Sequence, residues 1–136
     1  MIRKYQISDY NSVEKMLKDE FNISFPQENV FSKKLVCVKD GKVVGVLVFS
    51  IMYERAEIDY ICVKKEYRNK NLATDLINEM FSILIKKQVE TISLEVRKSN
   101  IPARQFYKKM GFDDVSIRHN YYKNEDGILM VRKLIK

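Results

Sequence analysis

Apolar residues recur at two different spacings along this chain, and the alternation between the spacings lays out its secondary structure. Val13, Met16, Leu17 and Phe21 share one face of a helix running from about Asp9 to Glu20, with Ser8 as its predicted N-cap. The longer series Leu72, Leu76, Ile77, Met80, Phe81, Leu84 and Ile85 predicts an amphipathic helix from Leu72 to about Lys87. A third helix is expected from Ile101 to Met110, with Gly111 as its stop. Strands are predicted at Met1–Ile7, at Leu35–Val38 and Val43–Phe49 as a hairpin around Asp40-Gly41, and at Ala56–Val63, Thr91–Val96, Asp114–Tyr122 and Gly127–Leu134. The stretch Asn22–Ser32, with Phe25-Pro26 inside it, reads as a loop carrying a short helix.

This order of elements is that of a mixed α/β sheet. The helix between the fourth and fifth strands implies a crossover connection, so those two strands are expected to pair in parallel. No repeat or linker-like stretch interrupts the pattern, and residues 1–136 are expected to form a single domain.

Composition mainly excludes. With 46% hydrophobic and 32% charged residues, the chain has an ordinary globular balance. No apolar run approaches the roughly 20 residues of a membrane helix, and Met1–Gln6 lacks the apolar core of a signal peptide. Two cysteines without an export signal point to a cytoplasmic protein with no membrane partner. The 25 basic and 18 acidic side chains give a net charge of +7. That suits an anionic partner such as RNA or a phosphorylated cofactor, and it equally suits a solvated lysine-rich surface. The lysines are spread along the chain, which weakens the nucleic-acid reading.

His119 is the only histidine, and no G-x-S-x-G elbow accompanies it, so a Ser-His-Asp triad is not expected. Cys37, Cys62 and His119 are too few for structural zinc and lack its spacing, so no metal is expected. Both cysteines sit in apolar strand-like runs, where packing accounts for them better than covalent catalysis.

The most informative junction is Tyr60–Ala73. A strand ends, a basic loop follows, and a helix begins near Leu72. A helix N-terminus offers unpaired N–H groups and a partial positive charge, which suit a phosphate, and Arg68 and Lys70 add to the potential. A solvated basic loop has the same pattern. The segment Arg68-Asn69-Lys70-Asn71-Leu72-Ala73 resembles the acetyl-CoA signature of the GNAT acetyltransferases, R/Q-x-x-G-x-G/A.

That resemblance implies a mostly antiparallel mixed sheet of six or seven strands flanked by about four helices, with the one parallel pair at the acetyl-CoA site. It implies that the backbone from Asn69 to Thr74 holds the CoA pyrophosphate, through Lys70, Asn71, Leu72 and Ala73, with Arg68 beside it. It further implies that Ile61, Cys62 and Val63 pair with the pantetheine arm. The motif's first glycine is Asn71 here, and Asn is the non-glycine residue that most readily adopts positive φ, so the turn is expected to survive. Affinity for CoA is the property this substitution bears on.

Ser93–Asn100, Ala103, Phe106-Tyr107 and Gly111-Phe112 resemble the family's fifth strand and fourth helix. More narrowly, Leu94-Glu95-Val96-Arg97, Arg118-His119-Asn120-Tyr121-Tyr122 and Glu125–Met130 resemble the bacterial ribosomal-protein alanine N-acetyltransferases. Phe25-Pro26-Gln27 stands where that subfamily often has a Pro-Trp pair, in a region that helps shape the acceptor site.

Matched to this pattern, Glu95 takes the general-base position and Tyr107 the general-acid position beside the CoA sulfur. Asn100 takes the place of the cofactor-binding asparagine, the Cys62 or Val63 amide that of the oxyanion donor, and Tyr121 and Tyr122 line the acceptor pocket. Other readings stand beside these. Period-two alternation from Thr91 to Arg97 explains Glu95 as one position on a solvated strand face. Glu57 and Asp59 are rival bases, since other branches of the family place a carboxylate on the fourth strand. Tyr107 reads equally as a core aromatic. Consecutive strand residues face opposite ways, which leaves a core position open to one of Tyr121 and Tyr122, and His119 is expected on the surface or in a structural role.

The resulting expectation is an acetyl-CoA-dependent N-acetyltransferase acting on a protein N-terminus, such as that of a ribosomal protein, by direct attack in a ternary complex. A small-amine acceptor (polyamine, amino acid or antibiotic) and a non-catalytic CoA- or RNA-binding module are the alternatives. Sheet edges in such a fold allow a monomer or a homodimer.

Overall fold

Each run of periodicity becomes an element close to its predicted bounds. In the computed structural model, which describes residues 1–24, 30–68 and 70–134, the strands are β1 (Ile2–Lys4), β2 (Ser32–Lys39), β3 (Lys42–Met52), β4 (Arg55–Val63), β5 (Thr91–Arg97), β6 (Asp113–Tyr122) and β7 (Glu125–Lys133). The helices are α1 (Tyr10–Phe21), α2 (Leu72–Lys86) and α3 (Ile101–Lys109), with 3-10 turns at Ile7–Asp9 and Lys65–Tyr67. The strands form one sheet in the order β1-β2-β3-β4-β5-β7-β6. It is antiparallel throughout except at β4–β5, the pair joined through α2. The expected mixed sheet is therefore present, in its seven-strand form. Three α-helices are seen among the described residues. The short helix expected within Asn22–Ser32 falls mainly on residues 25–29, which lie outside the described residues.

The first strand is shorter than expected, and Ser8 does not cap α1. The buried Asp9 occupies the cap position of α1. Its Oδ2 accepts the Gln6 backbone N–H at 2.8 Å, and Arg3 donates to both of its oxygens at 2.8 and 2.9 Å. These charge-assisted bonds fold Ile7–Asp9 into a 3-10 turn, a stronger local determinant than an exposed serine hydroxyl. The hairpin turn is as expected, with Asp40 and Gly41 both at positive φ (52° and 73°) between the paired Lys39 and Lys42.

Alternation sends side chains to both faces of the sheet. On one face Leu47, Phe49, Ile92, Leu94 and Met130 pack against α2 and α3. Leu76, Ile77, Met80 and Leu84 of α2 are fully buried there, each worth about 1.5–3 kcal/mol relative to exposure. On the other face Val13, Met16 and Leu17 of α1 cover Val36, Val46, Val48 and Cys62 of β2, β3 and β4 only. Beyond β4, no helix among the described residues covers the α1 face.

β4 carries the feature that opens the sheet. Val48 pairs with Tyr60 but Phe49 pairs with Ile58, so Asp59 is an extra residue. The residues packing toward α2 switch from Ala56 and Ile58 to Ile61 and Val63, and Tyr60 and Cys62 turn to the α1 face. A β-bulge of this kind bends its strand. β4 pairs with β5 only from Arg55–Glu57 to Thr91–Ser93, and beyond that point the two strands part.

Candidate functional site

Where β4 and β5 separate, a cleft of about 500 Å³ opens. Its walls are Ile58–Val63 of β4, Leu94–Arg97 of β5 and Ala103, Phe106 and Tyr107 of α3, with Arg68, Ala73 and Asn100 at its rim. A second pocket of about 470 Å³ lies among Ser32, Ser50, Glu57, Asp59, Tyr60, Glu95, Tyr121 and Tyr122. Ile58, Asp59, Tyr60, Glu95 and Tyr122 border both. The two cavities therefore meet, and Glu95 stands at their junction.

The cleft's polar rim comes from the turn into α2. Asn71 precedes the helix in the left-handed conformation (φ 62°, ψ 18°), as expected of the residue replacing glycine, and its side chain makes no capping bond. A left-handed residue followed by a helix turns successive N–H groups toward one point, a concavity suited to an anion. Arg68 is committed elsewhere: its Nε donates to the Val63 carbonyl and its Nη2 to Glu20 of α1, both at 2.9 Å. Lys70 lies over the Tyr67 ring at 5.6 Å. Leu72 is buried in the core, so only its backbone reaches the rim. Lys70, Asn71, Leu72 and Thr74 stand on the loop and first turn of α2 rather than in the cleft wall, and Asn69 lies outside the described residues. Asn100 borders the cleft and caps α3, its Oδ1 accepting the Ala103 N–H at 3.2 Å.

Glu95 is not on a solvated face. Its side chain is 12% exposed, and Oε1 forms an ion pair with Arg118 Nε at 2.9 Å. Oε2 is buried without a hydrogen-bond partner among the described residues. Burial pushes its carboxyl above the usual range, and Arg118 opposes the shift. Glu57 is raised by burial and then by the negative charges of Asp59 and Glu95. Asp59 is raised by burial and partly held down by the Ser50 hydroxyl, which donates to it at 2.7 Å. Three carboxylates thus crowd one pocket of a chain whose net charge is +7.

Tyr107 belongs both to the core and to the cleft wall, with edge contacts to Phe106 and Phe112 at 5.3 and 5.8 Å between ring centroids. Burial raises its phenol, which keeps the proton on oxygen.

Tyr121 and Tyr122 both border the second pocket, and neither is in the core. Between Arg118 and Tyr122, β6 spends two more residues than β7, with Asn120 at φ 55°. That irregularity cancels the alternation. The two rings cross at 83° over Gly127, where an added Cβ would lie 3.1 Å from Tyr121.

Cys62 is a buried thiol pushed up to about 12 by desolvation, Cys37 is buried on the opposite face, and His119 is exposed beside Asp126 at 3.4 Å. Arg118 and Glu20 are the side chains that sequence reasoning gave no role. Each bonds across elements distant in sequence, and nothing in local spacing announces that.

Residues 2–112 match the Acetyltransferase (GNAT) family. A Bacillus subtilis protein, provisionally named a ribosomal protein bS18-alanine N-acetyltransferase, is 35% identical over 128 residues, spanning 93% of this chain and 84% of the relative. An N-alpha-acetyltransferase of Saccharolobus solfataricus is 34% identical over 113 residues, 73% of this chain and 68% of the relative. The crystal structure of the Escherichia coli ribosomal-protein-S18-alanine N-acetyltransferase superposes with a TM-score of 0.91 at 23% identity, covering 100% of this chain and 94% of that one. A match over most of its length, on a sheet that splays where the family signature begins, makes this chain a member of the GNAT acetyltransferase family.

Proposed function

We propose that the protein is a cytoplasmic enzyme that transfers an acetyl group from acetyl-CoA to the N-terminal α-amine of a protein, of the ribosomal-protein type. The observation that carries this reading is the meeting of two cavities at Glu95. One is apolar and ends at an anion-suited helix start, which fits a pantetheine arm and its pyrophosphate. The other is acidic and aromatic, which fits an ammonium group. The names of the two relatives support an α-amine acceptor.

Ile61, Cys62 and Val63 hold the donor arm along β4, and the backbone from residue 69 to 74 holds its phosphates. Bound acetyl-CoA supplies an activated thioester, whose acyl carbon forms the new C–N bond as its C–S bond breaks. The Glu95 carboxylate takes the proton that the acceptor must lose, through a water. The Cys62 or Val63 N–H donates to the acyl oxygen as charge gathers there. Tyr107 gives its hydroxyl proton to the departing sulfur. Of the rival bases, Glu57 borders only the acceptor pocket and Asp59 accepts from the Ser50 hydroxyl, whereas Glu95 borders both cavities and takes the family's base position. Tyr121 and Tyr122 shape the acceptor's entry.

An α-amine near pKa 7.7–8.0 suits a single carboxylate base; a lysine near 10.4 costs about 3–4 kcal/mol more to deprotonate at neutral pH. Thiol release from acetyl-CoA tests the assignment, with hexapeptides beginning in Ala or Ser set against the same peptides blocked at the N-terminus but carrying a free lysine. Turnover confined to free N-termini is expected. Turnover of lysine peptides or of polyamines in preference to free N-termini contradicts the α-amine reading.

A further inference from the structure

Arg118 sits on the edge strand β6, yet its guanidinium reaches past β7 to Glu95 on β5. The residue opposite it on β7 is Gly127, which adds no side chain of its own between them. Arg118 is half exposed, whereas Glu95 is 12% exposed, so an exposed cation grips a sheltered carboxylate by one oxygen. The geometry points to Arg118 as a positioning residue for acetyl transfer: by pairing with Oε1 it holds the Glu95 carboxylate where the two cavities meet. This inference rests on the reading of Glu95 as the base.

The surroundings make such a residue necessary. From β4, Glu57 faces Glu95 with Asp59 beside it. From β6, Tyr121 and Tyr122 face it. On its own strand Arg97 is turned away, bonded to Glu125 at 3.1 Å and stacked 4.3 Å over Tyr122. The residue paired with Glu95 on β7 is Leu129. Arg118 is therefore a cation that offsets the burial of Glu95, and it lowers the neighbouring Glu57 as well. It also lies 5.9 Å over the Tyr121 ring, so one side chain orients the base and a wall of the acceptor pocket.

The test uses Arg118→Gln and Arg118→Lys beside Glu95→Gln, each first checked for an unchanged thermal midpoint. The pH dependence of kcat/KM with a free-N-terminus peptide is expected to bend twice, once at the peptide's α-amine and once below it at Glu95. Arg118→Gln moves the lower bend upward by about one unit, which is tenfold in activity on the acid side, and leaves the upper bend and the KM for acetyl-CoA in place. Arg118→Lys restores most of the loss. Titrating the Glu95 carboxyl by carbon-13 NMR, without donor or acceptor, shows the same upward shift. In the Glu95→Gln background, Arg118→Gln adds nothing further.

Unchanged Glu95 titration in Arg118→Gln overturns the inference while leaving the base reading intact. Additive losses in the double variant overturn it too, because Arg118 then touches the acceptor itself. If Glu95→Gln alone leaves rate and lower bend unaltered, the base reading fails and the inference falls with it.

Discussion

The donor side and the acceptor side of this site are built by different means. The elements proposed for the donor are backbone: the end of β4, the left-handed turn at Asn71 and the first turn of α2, all within one short stretch of chain. The pocket proposed for the acceptor is lined by side chains brought from β2, β3, β4, β5 and β6, with three carboxylates and three tyrosines among them. A backbone site tolerates exchange of its residues as long as the φ angles survive, and Asn71 in a glycine position is such an exchange. A side-chain site changes its chemistry with every substitution. The difference explains how one donor cleft can serve many acceptors within a fold.

The largest effect is expected where the two sides meet. Glu95→Gln should lower kcat by about 10²–10⁴-fold, the usual range for loss of a positioned base, while acetyl-CoA binding measured by calorimetry stays as in the parent. Tyr107→Phe should cost less, about 10²-fold in kcat, because thiolate departure without a proton donor is slowed rather than prevented.

On the donor side, Asn71→Gly should leave the KM for acetyl-CoA within about threefold. Asn71→Val, β-branched at positive φ, should raise that KM about tenfold and lower stability by about 1–2 kcal/mol in urea unfolding. On the acceptor side, Glu57→Gln or Asp59→Asn should raise the peptide KM several-fold and leave the acetyl-CoA KM alone, an effect that shrinks as salt is added. The smallest change is expected for Glu20→Gln. Its half-exposed ion pair with Arg68 is worth about 0.2–1 kcal/mol, so the acetyl-CoA KM should move less than about fivefold.

The same contrast governs what could be read from the chain. The spacing of Leu72 through Leu84 and the stop at Gly111 mark α2 and α3, since a helix is a local pattern and its cap a local residue. The loop before α2 was legible for the same reason. The bulge at Asp59 was not: no glycine or proline marks it, and it exists in the register between β3 and β4. Yet that one residue parts β4 from β5 and brings Asp59 and Tyr60 to the same pocket. Tyr121 and Tyr122 share one pocket because strict alternation fails at Asn120, an irregularity that period-two spacing does not show. Arg118 stood in a quoted motif without a role, since its partner is two strands away. Asp9 rather than Ser8 holds the cap position of α1, and the bidentate grip of Arg3 that keeps it there cannot be seen in helical periodicity.

The central claim is that donor and acceptor lie in adjoining cavities at the same time and react directly. Initial rates over a grid of acetyl-CoA and peptide concentrations test it most simply. The account predicts intersecting double-reciprocal lines and no release of CoA thiol without acceptor, consistent with a buried Cys62 whose thiol is pushed up to about 12. Parallel lines, with one equivalent of thiol released before any acceptor is added, would contradict it.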